Sequence, residues 1–382
     1  MVPRILRRLP WRPIVGAAIA LIVITGVVFS IVRGHTTRKR DQHISQGQEH
    51  FHRQEYDRAI LEFSAAIRLD PACALAYANR ASAYFNQGEL ERAIEDCDRA
   101  LEIDPCLAPA YANRGGAYLN QNDLDRAIAD CTRAIELDPS ATLAFTNRGA
   151  AHLNKGDLDA AIDDSTRAIE LDPACALPYA NRGAAHFNKG SLEQTIADCT
   201  RAIECDPRLA VAYVNRAAAF LGQGDADRTL ADCNEALRLN PDLARAYALR
   251  GTARLNRGED PLGIQDDNEA LRRDPSLVFV YANRGVSRLR LGDSTRALQD
   301  FNEAIARQPR LALAYVYRSV IALGNDDYKQ VIADCTHALE LEPQLALAYW
   351  NRSAAYERQG DRKRAEADRK KALELDASLG RQ

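Results

Sequence analysis

Methionine occurs once, as the first residue, so the chain has no flexible, thioether-rich groove for apolar partners. An excess of either charge is also missing. Fifty Lys and Arg face 53 Asp and Glu, for a formal net charge of −3, which disfavours nucleic acid as a partner. No P-loop, dinucleotide-binding glycine fingerprint, Gly-x-Ser-x-Gly, His-Glu-x-x-His or Cys-x-x-Cys occurs. His43, His50 and His52 crowd together in sequence, but His50 holds the place where His152 and His186 recur, so packing accounts for it better than a metal. The reading is therefore no enzyme, no cofactor, no metal and no small-molecule substrate. Hydrophobic residues at 46% and charged residues at 27% are ordinary globular values, which exclude a disordered or multi-span chain.

Residues 1–40 carry eight basic side chains and no acidic one, leaving 42 basic against 53 acidic in the remainder. Residues 14–32 form a run of 19 without charge, bracketed by Arg12 and Arg33, with Trp11 at the edge. As a helix the run would span about 28 Å, the thickness of a bilayer's hydrocarbon. It is longer than a cleaved signal's apolar region, and no small-x-small site follows it. The expectation is one transmembrane helix over 14–32, after a basic segment 1–13 and before a basic linker 33–39 that meets lipid headgroups. Four basic residues stand on each side, so charge counting leaves orientation nearly open. A basic start before an anchor resembles a signal-anchor, which places the body outside the cytoplasm.

Length alone suggests two or three domains, but the chain repeats. Prolines fall every 34 residues from Pro71 to Pro343, and aromatics fall at the same period from Tyr77 to Tyr349. Each unit, such as residues 108–141, shows two stretches of helical period separated by a polar turn and closed by Asp-Pro. Such a helix–turn–helix cannot bury its own apolar face, so stacked neighbours must bury it.

The 34-residue length, the aromatic early in the first helix, and small residues at positions 8, 20 and 27 resemble the tetratricopeptide repeat family. Ten repeats tile residues 40–379, starting at 40, 74, 108, 142, 176, 210, 244, 278, 312 and 346. Position 27 is Ala in all ten, from Ala66 to Ala372. The resemblance implies an all-α, right-handed solenoid whose concave surface is lined by the first helix, helix A, of each repeat. Position 24, usually a large aromatic, is Phe63 and Phe301 in two repeats but Cys in five (Cys97, Cys131, Cys199, Cys233, Cys335), read as free core thiols. Arg at position 7 and Asp at position 23 are expected to be structural, as exposed pairs of about 0–1 kcal/mol each.

The resemblance also places position 6 in the concave groove. Here it reads Asn79, Asn113, Asn147, Asn181, Asn215, Leu249, Asn283, Tyr317 and Asn351. Two turns on stand Asn86, Asn120, Asn154 and Asn188, and the ninth position between is small. Asn offers donors and an acceptor without charge, so such a ladder can grip the main chain of an extended peptide of any sequence. Retention of Asn through repeat duplication is the alternative. Beyond Leu249 the groove turns apolar, with Phe279, Val286, Val316, Tyr317, Val320 and Trp350, and Tyr317 and Trp350 are read as side-chain anchors. Position 2 is mostly Leu, so a cationic clamp for a chaperone's C-terminal carboxylate is not expected. In repeat seven, Asp267 replaces an apolar core residue, and pairing with Arg254 or Arg288 is expected. The chain thus reads as a membrane-anchored, non-catalytic scaffold for a protein or extended peptide. The alternative is a regulatory or assembly subunit of a cell-envelope or secretion complex, or of an enzyme encoded elsewhere.

Overall fold

Two local devices in each 34-residue unit end its helices. At the Asp-Pro step the residue before proline is driven out of the helical region. Asp70, Asp104 and Asp138 accordingly sit at φ −144°, −133° and −136°. Their Oδ1 atoms accept backbone N–H bonds from two residues on, at 3.1, 3.0 and 2.9 Å. Between the helices, position 15 has positive φ in every repeat: it is glycine in seven, and Gln54, Asn122 and Asp326 in the others. A left-handed residue closes helix A, and glycine adopts it without a Cβ penalty.

The protein is described by a computed structural model over residues 34–381, all helix with no strand among those residues. The described residues fall into two compact units, divided between residues 174 and 175. In the first, α1 spans 34–52, followed by α2 (Tyr56–Leu69), α3 (Ala74–Asn86), α4 (Leu90–Ile103), α5 (Ala108–Asn120), α6 (Leu124–Leu137), α7 (Thr142–Lys155) and α8 (Leu158–Leu171). The second holds α9 (Ala176–Asn188), α10 (Leu192–Cys205), α11 (Ala210–Gly222), α12 (Ala226–Leu239), α13 (Ala244–Asn256) and α14 (Asp260–Arg273). It continues with α15 (Val278–Arg290), α16 (Ser294–Arg307), α17 (Ala312–Gly324), α18 (Tyr328–Leu341), α19 (Ala346–Arg358) and α20 (Arg362–Leu375), then a 3₁₀ turn at Ala377–Arg381. Odd-numbered helices are the A helices and even-numbered ones the B helices.

The transmembrane helix expected at 14–32 lies outside the described residues. Among those residues no helix is long and apolar enough to cross a membrane. The linker expected at 33–39 is, from residue 34, helix continuous with α1. No proline interrupts it, and Arg40, the first residue of the solenoid, donates to Asp70 at 2.6 Å.

Small residues let each helix pair approach. The alanine at position 27 has no exposed surface in any repeat. Cys97, Cys131, Cys199, Cys233 and Cys335 are buried and in no disulfide. Burial pushes the Cys131, Cys199 and Cys233 thiols up to about 12 and Cys335 to about 11. The two repeats with Phe at position 24 have glycine opposite: a Cβ on Gly47 or Gly285 would come within 2.5 or 2.6 Å of the Phe63 or Phe301 ring.

The position-7 arginines correct one expectation: their pairs are not exposed. From Arg80–Asp96 to Arg352–Asp368, nine arginines fork onto a buried aspartate of the same repeat. Arg216 Nε and Nη2 each donate to Asp232 at 2.8 Å, while Nη1 donates to Thr200 of the preceding repeat at 3.0 Å. The same third bond goes to Ser64, Thr132, Asn234, Asn268, Asn302 and Thr336 in other repeats. The position-4 aromatic lies against each guanidinium, as Tyr213 does 5.7 Å from Arg216. An arginine with this third bond ties helix A, helix B and the previous repeat together, and a planar fork is needed to do it.

Asp267 is a second correction. Arg254 donates to Asp266 at 2.6 Å and Arg288 to Asp300 at 2.7 Å, so both expected partners are taken. Asp267 is 1% exposed, and neither carboxylate oxygen has a hydrogen-bond partner. Desolvation raises its pKa to about 8, Asp266 and Asp300 adding to the rise while Arg284 and Arg288 oppose it. It is a neutral carboxylic acid at pH 7, packed against Gly251, where no Cβ would fit.

Candidate functional site

Positions 2, 6, 9 and 13 of a helix share one face, because they are spaced by four, three and four residues. Within the first unit α3 packs on α5 and α5 on α7, and within the second each A helix from α9 to α19 packs on the next. No two successive B helices pack closely among the described residues. The A helices therefore line the inner side of each unit.

Position 2 carries an exposed, large apolar side chain in six repeats across the two units, while Leu347 in the last repeat is half-buried against the core. Leu75 and Leu143 in the first are 42% and 48% exposed. Leu177, Val211, Phe279 and Leu313 in the second are 48%, 44%, 42% and 44% exposed. These six are most of the large apolar side chains exposed on the described residues. The repeating leucine at position 2 was visible in sequence, but only as evidence against a cationic clamp. Recurrence of a large apolar residue at one phase, with no small-residue alternation, was the signal that could have identified the row.

The position-6 asparagines lie deeper. In the first unit Asn113 Nδ2 donates to the Ala78 carbonyl at 3.0 Å and Asn147 to that of Ala112 at 3.2 Å, each reaching the preceding A helix. Asn79 Nδ2 is buried without a partner. In the second unit Asn283 donates to Thr252 at 2.9 Å and Asn351 to Ser319 at 3.1 Å, Asn215 is buried and Asn181 half-buried. The small ninth position is not an open gap. A Cβ on Gly116 would lie 2.8 Å from Asn147 Nδ2, so the next repeat's amide fills that space. One donor of each of these bonded amides is thus spent between repeats. Asn86, Asn120, Asn154 and Asn188 at position 13 are exposed, Asn86 donating to the Ser82 carbonyl of its own helix.

The apolar stretch expected beyond Leu249 is redistributed. Leu249, Val286 and Val316 are buried in the core at 8%, 9% and 0% exposure, and Phe279 alone of that group is largely exposed. Tyr317 is half-buried and stacks on Phe301, with ring centroids 5.8 Å apart. Trp350 occupies position 5, which elsewhere is buried against the following repeat, as Ala112 and Val214 are. In the final repeat Trp350 is half-buried beneath Arg369, 5.8 Å from its ring. It covers the end of the helix pair rather than joining the A-helix face.

Dips between the turns, such as that formed by Gln223, Asp225, Arg228 and Arg257, are shallow and polar and lie away from this face. His43 and His50 hydrogen-bond Glu62 and Glu55 at 2.6 and 2.7 Å, as packing residues do.

Proteins built as all-α arrays of paired helices of this kind are protein-interaction scaffolds. Models of the tetratricopeptide repeat match residues 44–105 and 283–330, residues 108–141, and residues 143–175 and 346–379. The chain belongs to the tetratricopeptide repeat family. No curated protein matches the sequence. Among solved structures, the APC/C hetero-tetramer Cut9–Hcn1 aligns at TM-score 0.50 and 13% identity, over 90% of this chain and 95% of that one. At that identity the likeness is one of fold. YrrB, a repeat protein with an unusual peptide-binding site, aligns at 25% identity and TM-score 0.37 over 48% of this chain and 95% of its own. A tetratricopeptide repeat protein of Parabacteroides merdae aligns at 18% identity and TM-score 0.48, over 65% and 99%.

Proposed function

We propose that the protein is a membrane-anchored, non-catalytic scaffold that holds an extended peptide, or an unfolded segment of a partner protein, along its A-helix face. The observation that carries this is the row of exposed apolar side chains at position 2. Large apolar groups left in water at one phase of six of the ten repeats are a face for a partner to cover. The asparagines serve as its polar floor. Where Nδ2 is spent on the preceding carbonyl, Oδ1 is the amide's acceptor for a ligand main-chain N–H. The exposed asparagines at position 13 supply a second polar edge.

Anchoring rests on the uncharged run at 14–32 and its flanking arginines. A basic start before it favours a body on the extracytoplasmic side. Flotation on a density gradient tests the anchor: full-length protein rises with membranes and resists alkaline carbonate, while a chain lacking residues 1–34 stays at the bottom. Full-length protein recovered without detergent in the soluble fraction overturns the anchor.

Selection of a random-peptide phage library on the full chain tests the face. Enriched peptides carry recurring apolar residues, and the variant Leu177→Glu/Val211→Glu/Leu313→Glu no longer captures them, with its helical circular dichroism unchanged. No enrichment on the unaltered chain, or equal capture by the variant, overturns the reading.

A further inference from the structure

The apolar row of the second unit is broken once. Between Val211 and Phe279, position 2 is Arg245, exposed like its neighbours. Its guanidinium carbon lies 5.8 Å from the Phe187 ring centroid, two repeats back, so the side chain reaches across the width of the intervening repeat. The arginines at position 7 all fork onto a carboxylate, and most on the B helices pair three residues away. Arg245 has no carboxylate partner among the described residues. Its surroundings are those of the row itself, and they hold its pKa below the ordinary arginine value with no carboxylate pulling the other way.

An exposed cation that lies on an aromatic ring of the row and has no carboxylate partner among the described residues is placed to take one from a ligand. We infer that Arg245 fixes the register of the bound peptide by pairing with an aspartate or glutamate side chain whose apolar neighbours rest on Val211 and Phe279. This rests on the reading that the A-helix face binds an extended peptide. Packed helices lie about 8–10 Å apart, and an extended chain in the polyproline II form advances about 3.1 Å per residue with three residues per turn, so one repeat corresponds to about three ligand residues and every third side chain returns to the face. The recognised segment is therefore an acid with an apolar residue about three positions to each side. A side chain is specified rather than a chain end, because the apolar row continues on both sides of Arg245 and the bound peptide runs past it.

The test uses the full chain in detergent, with a random-peptide library displayed inside a loop so that no terminal carboxylate is present. Peptides enriched on the unaltered protein carry the acid between two apolar residues. Arg245→Leu, which restores the residue type of the other repeats, keeps the apolar pair and loses the acid, and Arg245→Glu selects lysine there instead. For a synthetic enriched peptide, Asp→Asn weakens binding to the unaltered chain about tenfold and leaves binding to Arg245→Leu unchanged. Enriched peptides with no acid at that spacing, or the same acid selected by Arg245→Leu, overturn the inference and leave the face reading standing. So does a parallel library with free C-termini in which only terminal carboxylates are enriched. If no peptide is enriched on the unaltered protein, the face reading fails and the register with it.

Discussion

Asp267→Cys should stabilise the protein, and by an amount that depends on pH. Cysteine is what five other repeats carry at this place, and Gly115 beside Cys131 shows that a thiol fits against a position-8 glycine. The Asp267 carboxyl holds its proton up to about pH 8 in the fold, against about pH 4 in an unfolded chain. Folding therefore takes up a proton between those values. Its stability contribution is fully present below pH 4, falls as pH rises through the window, and levels above pH 8. With about 1.4 kcal/mol per pH unit, the ionisable side chain penalises folding by about 4 kcal/mol at pH 7 and about 1 kcal/mol at pH 5. Cysteine removes that penalty, since its thiol is neutral at both values. A repeat array does not unfold as one unit, so the readout is hydrogen exchange of amides in α13 to α15, compared between variant and unaltered protein at each pH. The comparison cancels the intrinsic pH dependence of exchange. A protection gain that is the same at pH 5 and pH 8 would refute the buried, unpartnered acid.

Arg216→Lys keeps the charge but cannot bond both Asp232 oxygens and Thr200, and should cost about 2 kcal/mol, read as faster exchange in α10 to α12; unchanged exchange would show that the fork is dispensable. Gly285→Ala drives a methyl into the Phe301 ring and should cost about 1–3 kcal/mol. Gly115→Ala should cost far less, because Ala81 and Ala217 already face Cys97 and Cys233 in the same place; equal costs for the two would contradict the paired choice of residues. In thiol titration at pH 8, exposed Cys106 should react at once and the buried Cys131, Cys199 and Cys233 only on denaturation, whereas rapid reaction of all nine cysteines would exclude the packed core.

The repeat and its helices were legible because period 34, Asp-Pro stops and position-27 alanines act locally and identically in every unit. The left-handed residue at position 15 was equally present as Gly88, Gly156 or Gly190, yet was hidden within a stretch read only as polar. What sequence could not supply was direction. Position 6 lies on the inner face, but whether Asn113 and Asn147 turn their amides to a ligand or to the preceding helix depends on how closely repeats stack. Position 5 is interior where the following repeat covers it, as Ala112 and Val214 are, whereas Trp350 is half-buried beneath Arg369. Asp267 failed for a related reason: Arg254 and Arg288 are near, but the invariant position-23 aspartates Asp266 and Asp300 compete for them and win.

The ligand is expected to lie on the A-helix face, and site-specific photo-cross-linking locates it. A benzophenone amino acid is placed in turn at Leu177, Val211, Phe279 and Leu313, and for comparison at Gln194, Arg228 and Arg296 on the B helices, each exposed. With a selected peptide bound to the full chain, the first set should cross-link to it and the second should not. Cross-links from the B-helix positions, or none from the position-2 row, would contradict the account.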